Sequence, residues 1–212
     1  DWLLIGWVVI WILLLACEAS EEASKRVSQT NKKFAYGQGA TLPTAKWQTR
    51  KMRHWKVAGA LLQNPQGILL VANRRRNGSL DWTPPGGVVD EGETPLEALR
   101  REVIEETGLR VDQWGELAYT VEVAFTDQDM LLQVEVHRAH LWSGEFIFDD
   151  PDGIVEEARF VQQKDAGLLL KESPLWVQEP VNSWLTSPQT LGAHFSYEAR
   201  RTSQGELRVE RQ

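Results

Sequence analysis

A single cysteine, Cys17, leaves the chain without the means to form an internal disulfide or a thiolate-rich zinc site. The fold therefore does not depend on oxidising surroundings. Basic residues are also in short supply, 23 lysines and arginines against 30 aspartates and glutamates, for a net charge of -7. Nothing in that balance supplies the broad basic surface that holds a nucleic-acid backbone, which argues against nucleic acid as a partner. Phosphates remain possible ligands if a cation mediates the contact. No G-x-S-x-G elbow, Walker loop or C-x-x-C pair occurs, so the nucleophile-elbow, P-loop and thiol-redox chemistries have no footing here. There is no internal repeat.

The one long apolar run is Trp2 to Cys17, WLLIGWVVIWILLLAC. It is slightly short of the roughly 20 residues that span a bilayer. Asp1 stands where the basic start of a signal peptide belongs. The LLAC ending resembles a lipoprotein cleavage box. As an anchor, the run would be followed by Lys25, Arg26, Lys32 and Lys33, which favour keeping the downstream domain in the cytoplasm. The first methionine is Met52, and Ser20 to Arg50 shows little periodicity. Residues 1–51 are thus an apolar segment plus linker, read as an upstream extension, an anchor or a signal, with no chemistry of their own. The protein is expected in the cytoplasm, attached to a membrane only if residues 2–17 are a genuine anchor.

Within a length of 212 residues, the stretch 52–212 suits one domain. WKVAGALLQ and GILLVANRR read as a hairpin around NPQG. ELAYTVEVAF and MLLQVEVHRAHLW alternate like paired strands around TDQD, and VEEARFV follows a DDPDG turn. KDAGLLLK predicts a short helix. PLWVQEPVNSWL predicts a longer one beginning at or after Pro180, where proline fits a first turn. HFSYEARR and ELRVER form a last hairpin across TSQG. Strands, a helix, more strands and a late helix predict a mixed sheet with helices packed on it.

The helix after Thr94 carries the unusual feature. Thr94 can cap it, with Pro95 at its first position, Glu97 three residues after the cap and Gly108 at its end. Glu102, Glu105 and Glu106 then share one strip, at spacings where like charges repel by about 0.2–0.5 kcal/mol per pair. Leu96, Leu99, Val103 and Thr107 form an apolar stripe beside them. A carboxylate cluster at the edge of a core is costly to ionise unless positive charge sits within it. Arg101 alone cannot balance three acids. A divalent cation can, since Mg²⁺ takes hard oxygen ligands together with water and phosphate. On the helix alone, a solvated acidic face remains the competing account.

The surrounding pattern narrows the choice. Gly87, Glu93, Arg101, Glu102, Val103, Glu105, Glu106, Gly108 and Leu109 stand at the spacings G-x5-E-x7-R-E-U-x-E-E-x-G-U, where U is aliphatic. That set resembles the Nudix hydrolases at every position, over Gly87 to Leu109. The resemblance implies an α/β/α sandwich with a central mixed sheet and the loop-helix on one side. It also implies hydrolysis of a nucleoside diphosphate linked to another moiety, with a non-catalytic nucleotide sensor as the alternative. Glu102, Glu105 and Glu106 would bind Mg²⁺ or Mn²⁺ and one of them would help activate water. Arg101 would orient a glutamate, Glu93 would support the loop, and Gly86 and Gly87 would allow close approach of the backbone. A homodimer is common in the family.

Weaker candidates lie outside that segment. Arg74 and Arg75, at the end of a strand, are candidates for substrate phosphates. Asp152, Glu156 and Glu157 are candidates for a further carboxylate past the box, against a plain turn for Asp152. Trp82, Phe125 and Trp142 are read as packing before base stacking. His137 and His140 are expected on opposite sides of a strand and so do not form a metal pair. No proline or tyrosine follows the box at the position that marks specialists for ADP-ribose or dinucleoside polyphosphates. This favours a MutT-like enzyme acting on nucleoside triphosphates.

Overall fold

The computed structural model describes residues 52–74, 78–147, 155–188 and 190–212. Nine strands among them form a continuous hydrogen-bonded system. β1 (Arg53–Asn64) and β2 (Gly67–Arg74) make the expected hairpin. Its turn is closed by the Asn64 side chain, which accepts from the backbone N–H groups of Gln66 and Gly67. β3 (Leu80–Thr83) and β4 (Gly86–Val88) lead into helix α1 (Pro95–Thr107). β5 (Arg110–Phe125), β6 (Met130–Ser143) and β7 (Val155–Val161) follow. Then come α2 (Gln163–Leu169), a 3-10 turn (Leu170–Glu172), α3 (Leu175–Thr186), β8 (Ala193–Arg201) and β9 (Leu207–Arg211).

The order is β3-β2-β1-β6-β5-β8-β9, with β4 on β1 and β7 on β2. β1 and β6 run parallel, as do β5 and β8, while the other pairs are antiparallel. The sheet is therefore mixed. Strand alternation divides its side chains between two cores. One face packs Leu61, Val121, Phe125 and Tyr197 against Trp176, Val181 and Trp184 of α3. The opposite face packs Ala58, Ala60, Leu69 and Val71 against Leu99 and Val103 of α1. An α/β/α sandwich results, with α1 alone over the β4 edge. No helix among the described residues is long and apolar enough to cross a membrane.

Helix α1 starts where its caps require. The Glu97 N–H donates to the Thr94 hydroxyl at 3.3 Å, and the Thr94 N–H donates to the Glu97 carboxylate at 2.8 Å. Gly108 ends it in the left-handed conformation. Its buried residues are Ala98, Leu99, Val103 and Thr107. Leu96 is only half-buried, and Ala98 is buried on the side of the acidic strip. The helix thus sinks further toward its acids than the apolar stripe alone predicts.

Helix α3 departs from expectation. It begins at Leu175 behind Pro174, and Pro180 lies inside it. An interior proline removes a hydrogen bond and disfavours the helix by about 3 kcal/mol. Pro180 is itself buried along with Trp176, Val181, Trp184 and Leu185. Burial of a large apolar side chain contributes about 1.5–3 kcal/mol, so a stripe of this size outweighs the lost bond. β5 also starts earlier than alternation suggests. Register shifts between Val111 and Tyr119 break its period of two.

Two substitutions separate capping from core. Leu99→Ala, at a fully buried position, is expected to lower unfolding free energy by about 2–5 kcal/mol. Thr94→Ala is expected to lower it by about 1 kcal/mol. Equilibrium urea unfolding of both variants measures the difference.

Candidate active site

The site is built on a two-glycine strand. β4 pairs with β1 so that Gly86 faces Gly59 and Gly87 faces Ala58. Backbone bonds from Ala60 N–H to Pro85 O (2.8 Å) and from Val89 N–H to Lys56 O (3.0 Å) fix both ends. At Gly86, with φ 150°, a Cβ would fall 2.2 Å from the carbonyl oxygen of Ala58. At Gly87 it would fall 2.2 Å from Oε1 of Glu102. The first glycine lets two backbones meet; the second makes room for a carboxylate.

From this strand the chain turns through Asp90–Glu93 into α1. The Asp90 N–H donates to Glu93 Oε2 at 3.1 Å. Arg101, at the middle of the helix, reaches back into the turn. Its Nε donates to Glu93 Oε1 at 3.2 Å, and its Nη2 donates to Glu93 Oε2 and to the Val88 carbonyl, each at 3.0 Å. Nη1 donates to Glu102 Oε1 at 2.6 Å and lies 3.5 Å from Glu105 Oε2. Asp90 Oδ2 is 3.8 Å from Nη2. Glu106 turns the other way and accepts from the Gly86 N–H at 2.8 Å.

The helix therefore brings Glu102, Glu105 and Glu106 to one edge, with Arg101 and Glu93 behind them and Gly86 and Gly87 beneath. Sequence reasoning missed Asp90 and the Val88 carbonyl. The first left a faint signal, an acid three residues before Glu93; a backbone carbonyl leaves none.

Charge is unevenly shared here. The hydrogen bond from Arg101 holds the Glu93 carboxyl below its ordinary value of 4.5, against a smaller opposing effect of burial. Burial opposes the charge of Arg101, but its bonds to Glu93 and the negative charge of Glu102 outweigh that and raise its pKa. Among the acids paired with Arg101, Glu102 is the least exposed, at 12%. Four carboxylates, those of Asp90, Glu93, Glu102 and Glu105, lie within 3.8 Å of one guanidinium.

Among the described residues this edge offers carboxylate oxygens as donors, which matches a hard divalent cation and suits softer metals poorly. Room for the Glu102 carboxylate over Gly87 also fits. As folded, the oxygens of Glu102 and Glu105 turn to Nη1 and that of Glu106 turns to Gly86. Among the described residues no three acidic, histidine or cysteine side chains converge on one point. The donor chemistry fits a hard ion, while Glu102 and Glu105 are directed at Arg101 and Glu106 at Gly86.

The other candidates fall elsewhere. Arg74 is paired with Glu156 on the β2–β7 ribbon, both partly exposed. Glu157 sits 3.3 Å from Arg159, whose guanidinium lies 4.7 Å over the ring of Trp82. Trp82 belongs to the core under α3, so Glu157 occupies the face opposite α1. Arg75 and Asp152 lie outside the described residues. Phe125 packs edge-on against Trp176 and Trp142 stacks on Phe160, as structural aromatics do. His137 and His140 each lie near a different glutamate, Glu135 and Glu116.

Two expectations follow. Gly86→Ala strains the backbone at positive φ and meets a carbonyl, so it should destabilise the fold by about 1–3 kcal/mol. Gly87→Ala meets only a movable side chain, and should stay within about 1 kcal/mol of wild type while displacing Glu102. Urea unfolding and the Glu102 side-chain NMR shift report on the two effects. The second expectation concerns pH. Because the folded-state pKa of Glu93 is depressed, its contribution is present above pH 4.5 and is lost as pH falls through the lower folded value. Between about pH 5 and pH 3, wild type should lose more unfolding free energy than Glu93→Gln. Parallel losses would contradict the pairing.

A sequence model of the NUDIX domain matches residues 52–184, more than half of the chain. The curated relatives are matched over about half of their length or less. The chain is 35% identical over 85 residues to the oxidized purine nucleoside triphosphate hydrolase of Danio rerio, covering 40% of this chain and 54% of that protein. It is 51% identical over 51 residues to an RNA pyrophosphohydrolase of Psychrobacter sp., covering 24% and 28%. The crystal structure of a MutT protein from Bacillus halodurans aligns with a TM-score of 0.52 at 20% identity, over 74% of this chain and 97% of that one. That likeness speaks for the fold. β8 and β9 extend beyond the matched residues yet complete the same sheet through β5. With the fold, the complete acidic edge and the domain match in agreement, the chain belongs to the Nudix hydrolase family.

Proposed function

We propose that this protein is a metal-dependent pyrophosphohydrolase. In this reading it cleaves a phosphoanhydride of a nucleoside diphosphate linked to another moiety, with nucleoside triphosphates, oxidised ones included, as the leading substrates. The observation that carries this is the arrangement of Glu102, Glu105 and Glu106 on one edge over Gly87. Relatives named for hydrolysing oxidized purine nucleoside triphosphates and for RNA pyrophosphohydrolysis support the reaction class. The net charge of -7 favours a small nucleotide over a polymer whose backbone must be gripped.

In this reading Glu102, Glu105 and Glu106 hold Mg²⁺ or Mn²⁺. When bound, the ion polarises a phosphoryl oxygen and makes water easier to deprotonate. The protein supplies the remainder. Glu93 and the Val88 carbonyl fix Arg101, and Arg101 in turn fixes the rotamer of Glu102. Gly86 N–H holds Glu106 against the glycine strand, and in this reading Glu106 takes the proton from the attacking water. Gly87, having no side chain, leaves room for the Glu102 carboxylate. The low exposure of Glu102 keeps water from competing for its carboxylate.

A panel of nucleoside triphosphates, their oxidised forms and 5′-triphosphorylated RNA, assayed with Mg²⁺, should release pyrophosphate and a monophosphate end. Chelation should abolish turnover. Glu106→Gln retains an oxygen for the Gly86 N–H, so it should keep the fold while losing about 10²- to 10⁴-fold in kcat. Nucleotide binding without any turnover in the wild type would instead indicate a sensor.

A further inference from the structure

We infer that Arg101 works in two halves, Nε and Nη2 as a permanent clamp on the loop, and Nη1 as the occupant of the cation's place between Glu102 and Glu105 until an ion arrives. The inference rests on the hydrolase reading for the identity of the ion. It adds a contest between Arg101 and that ion, so the arginine opposes metal binding even as it organises the site.

The division follows from how a guanidinium presents its protons. Nε and Nη2 lie along one edge of the planar group, the edge that pairs side by side with a carboxylate. Here that edge is filled by the two oxygens of Glu93 and by the Val88 carbonyl. Nη1 belongs to the far side and reaches only the acidic strip, at 2.6 Å from Glu102 and 3.5 Å from Glu105. Releasing Nη1 leaves the three bonds of the clamp intact. The loop need not move when the ion binds.

Glu102 supplies the second reason. At 12% exposure, its carboxylate needs a positive partner in every state of the protein. Without metal, Nη1 is that partner. A divalent ion carries twice the charge and has more coordination sites for oxygen, so it can take over both Glu102 and Glu105. Gly87, having no Cβ, leaves that place to the Glu102 carboxylate itself, and the exchange needs only rotation of side chains. Arg101 thereby prevents the acids from repelling one another apart before the ion is present.

A contest and a purely positioning role predict opposite signs. Arg101→Gln removes the competing charge. In Mn²⁺ titrations followed by electron paramagnetic resonance, without nucleotide, its affinity should rise about fivefold, the upper end for one part-exposed charge contact. Its melting temperature without metal should fall, and the rise on adding Mn²⁺ should exceed that of wild type. Weaker Mn²⁺ binding by Arg101→Gln overturns the inference. Should that variant not fold, side-chain NMR of Arg101 in wild type decides. Titration with Mg²⁺ should shift Nη1 and leave Nε unmoved on Glu93; movement of both, or of neither, overturns it. A wild type that binds no divalent ion defeats this inference and the hydrolase reading together. One that binds the ion and shows the Nη1 exchange, yet hydrolyses no nucleotide, defeats only the latter.

Discussion

One guanidinium set among four carboxylates is the constraint on which the rest of this structure turns. Arg101 joins the loop after β4 to the edge of α1 by bonding Glu93, Val88 and Glu102 at once. The strand before that loop is fixed by pairing with β1, and the helix after it by the capping box at Thr94. Each element is therefore placed by its own local bonds, and Arg101 locks the two placements together.

The fold arranges for that edge to stay accessible. Trp176, Val181 and Trp184 of α3 fill one face of the sheet with large side chains, while α1 packs on the other over small residues, Ala58 and Ala60. Small residues under α1 let the helix lie close to β1 and β4, which is what brings Glu102 over Gly87. The acids border the core without entering it. Their charge is tolerable because they sit where burial is incomplete and a cation can reach them.

Much of this was legible in the sequence, for reasons that differ from element to element. The α1 caps, the β1–β2 turn and the spacing of Glu102, Glu105 and Glu106 are set by neighbours within a few residues, so the pattern carries them directly. β3 and β4 were not recognised as strands because three or four residues cannot display a period. The start of β5 was hidden because its register shifts reverse the alternation. α3 was expected to begin at or after Pro180, and burial of Trp176 moved the start back to Leu175. The partners of Arg74 and Glu157 depend on which strand lies beside which and which face is covered. Parallel pairing between β1 and β6 and between β5 and β8 lies beyond local pattern altogether.

The central claim is that a divalent ion makes this acidic edge sensible. The most direct measurement is anomalous diffraction at the manganese edge from crystals grown with Mn²⁺. The account predicts a strong peak bordered by carboxylate oxygens of Glu102, Glu105 and Glu106, with Arg101 still bonded to Glu93. A map with no peak there, and with Arg101 still spanning Glu102 and Glu105 in saturating Mn²⁺, would contradict it.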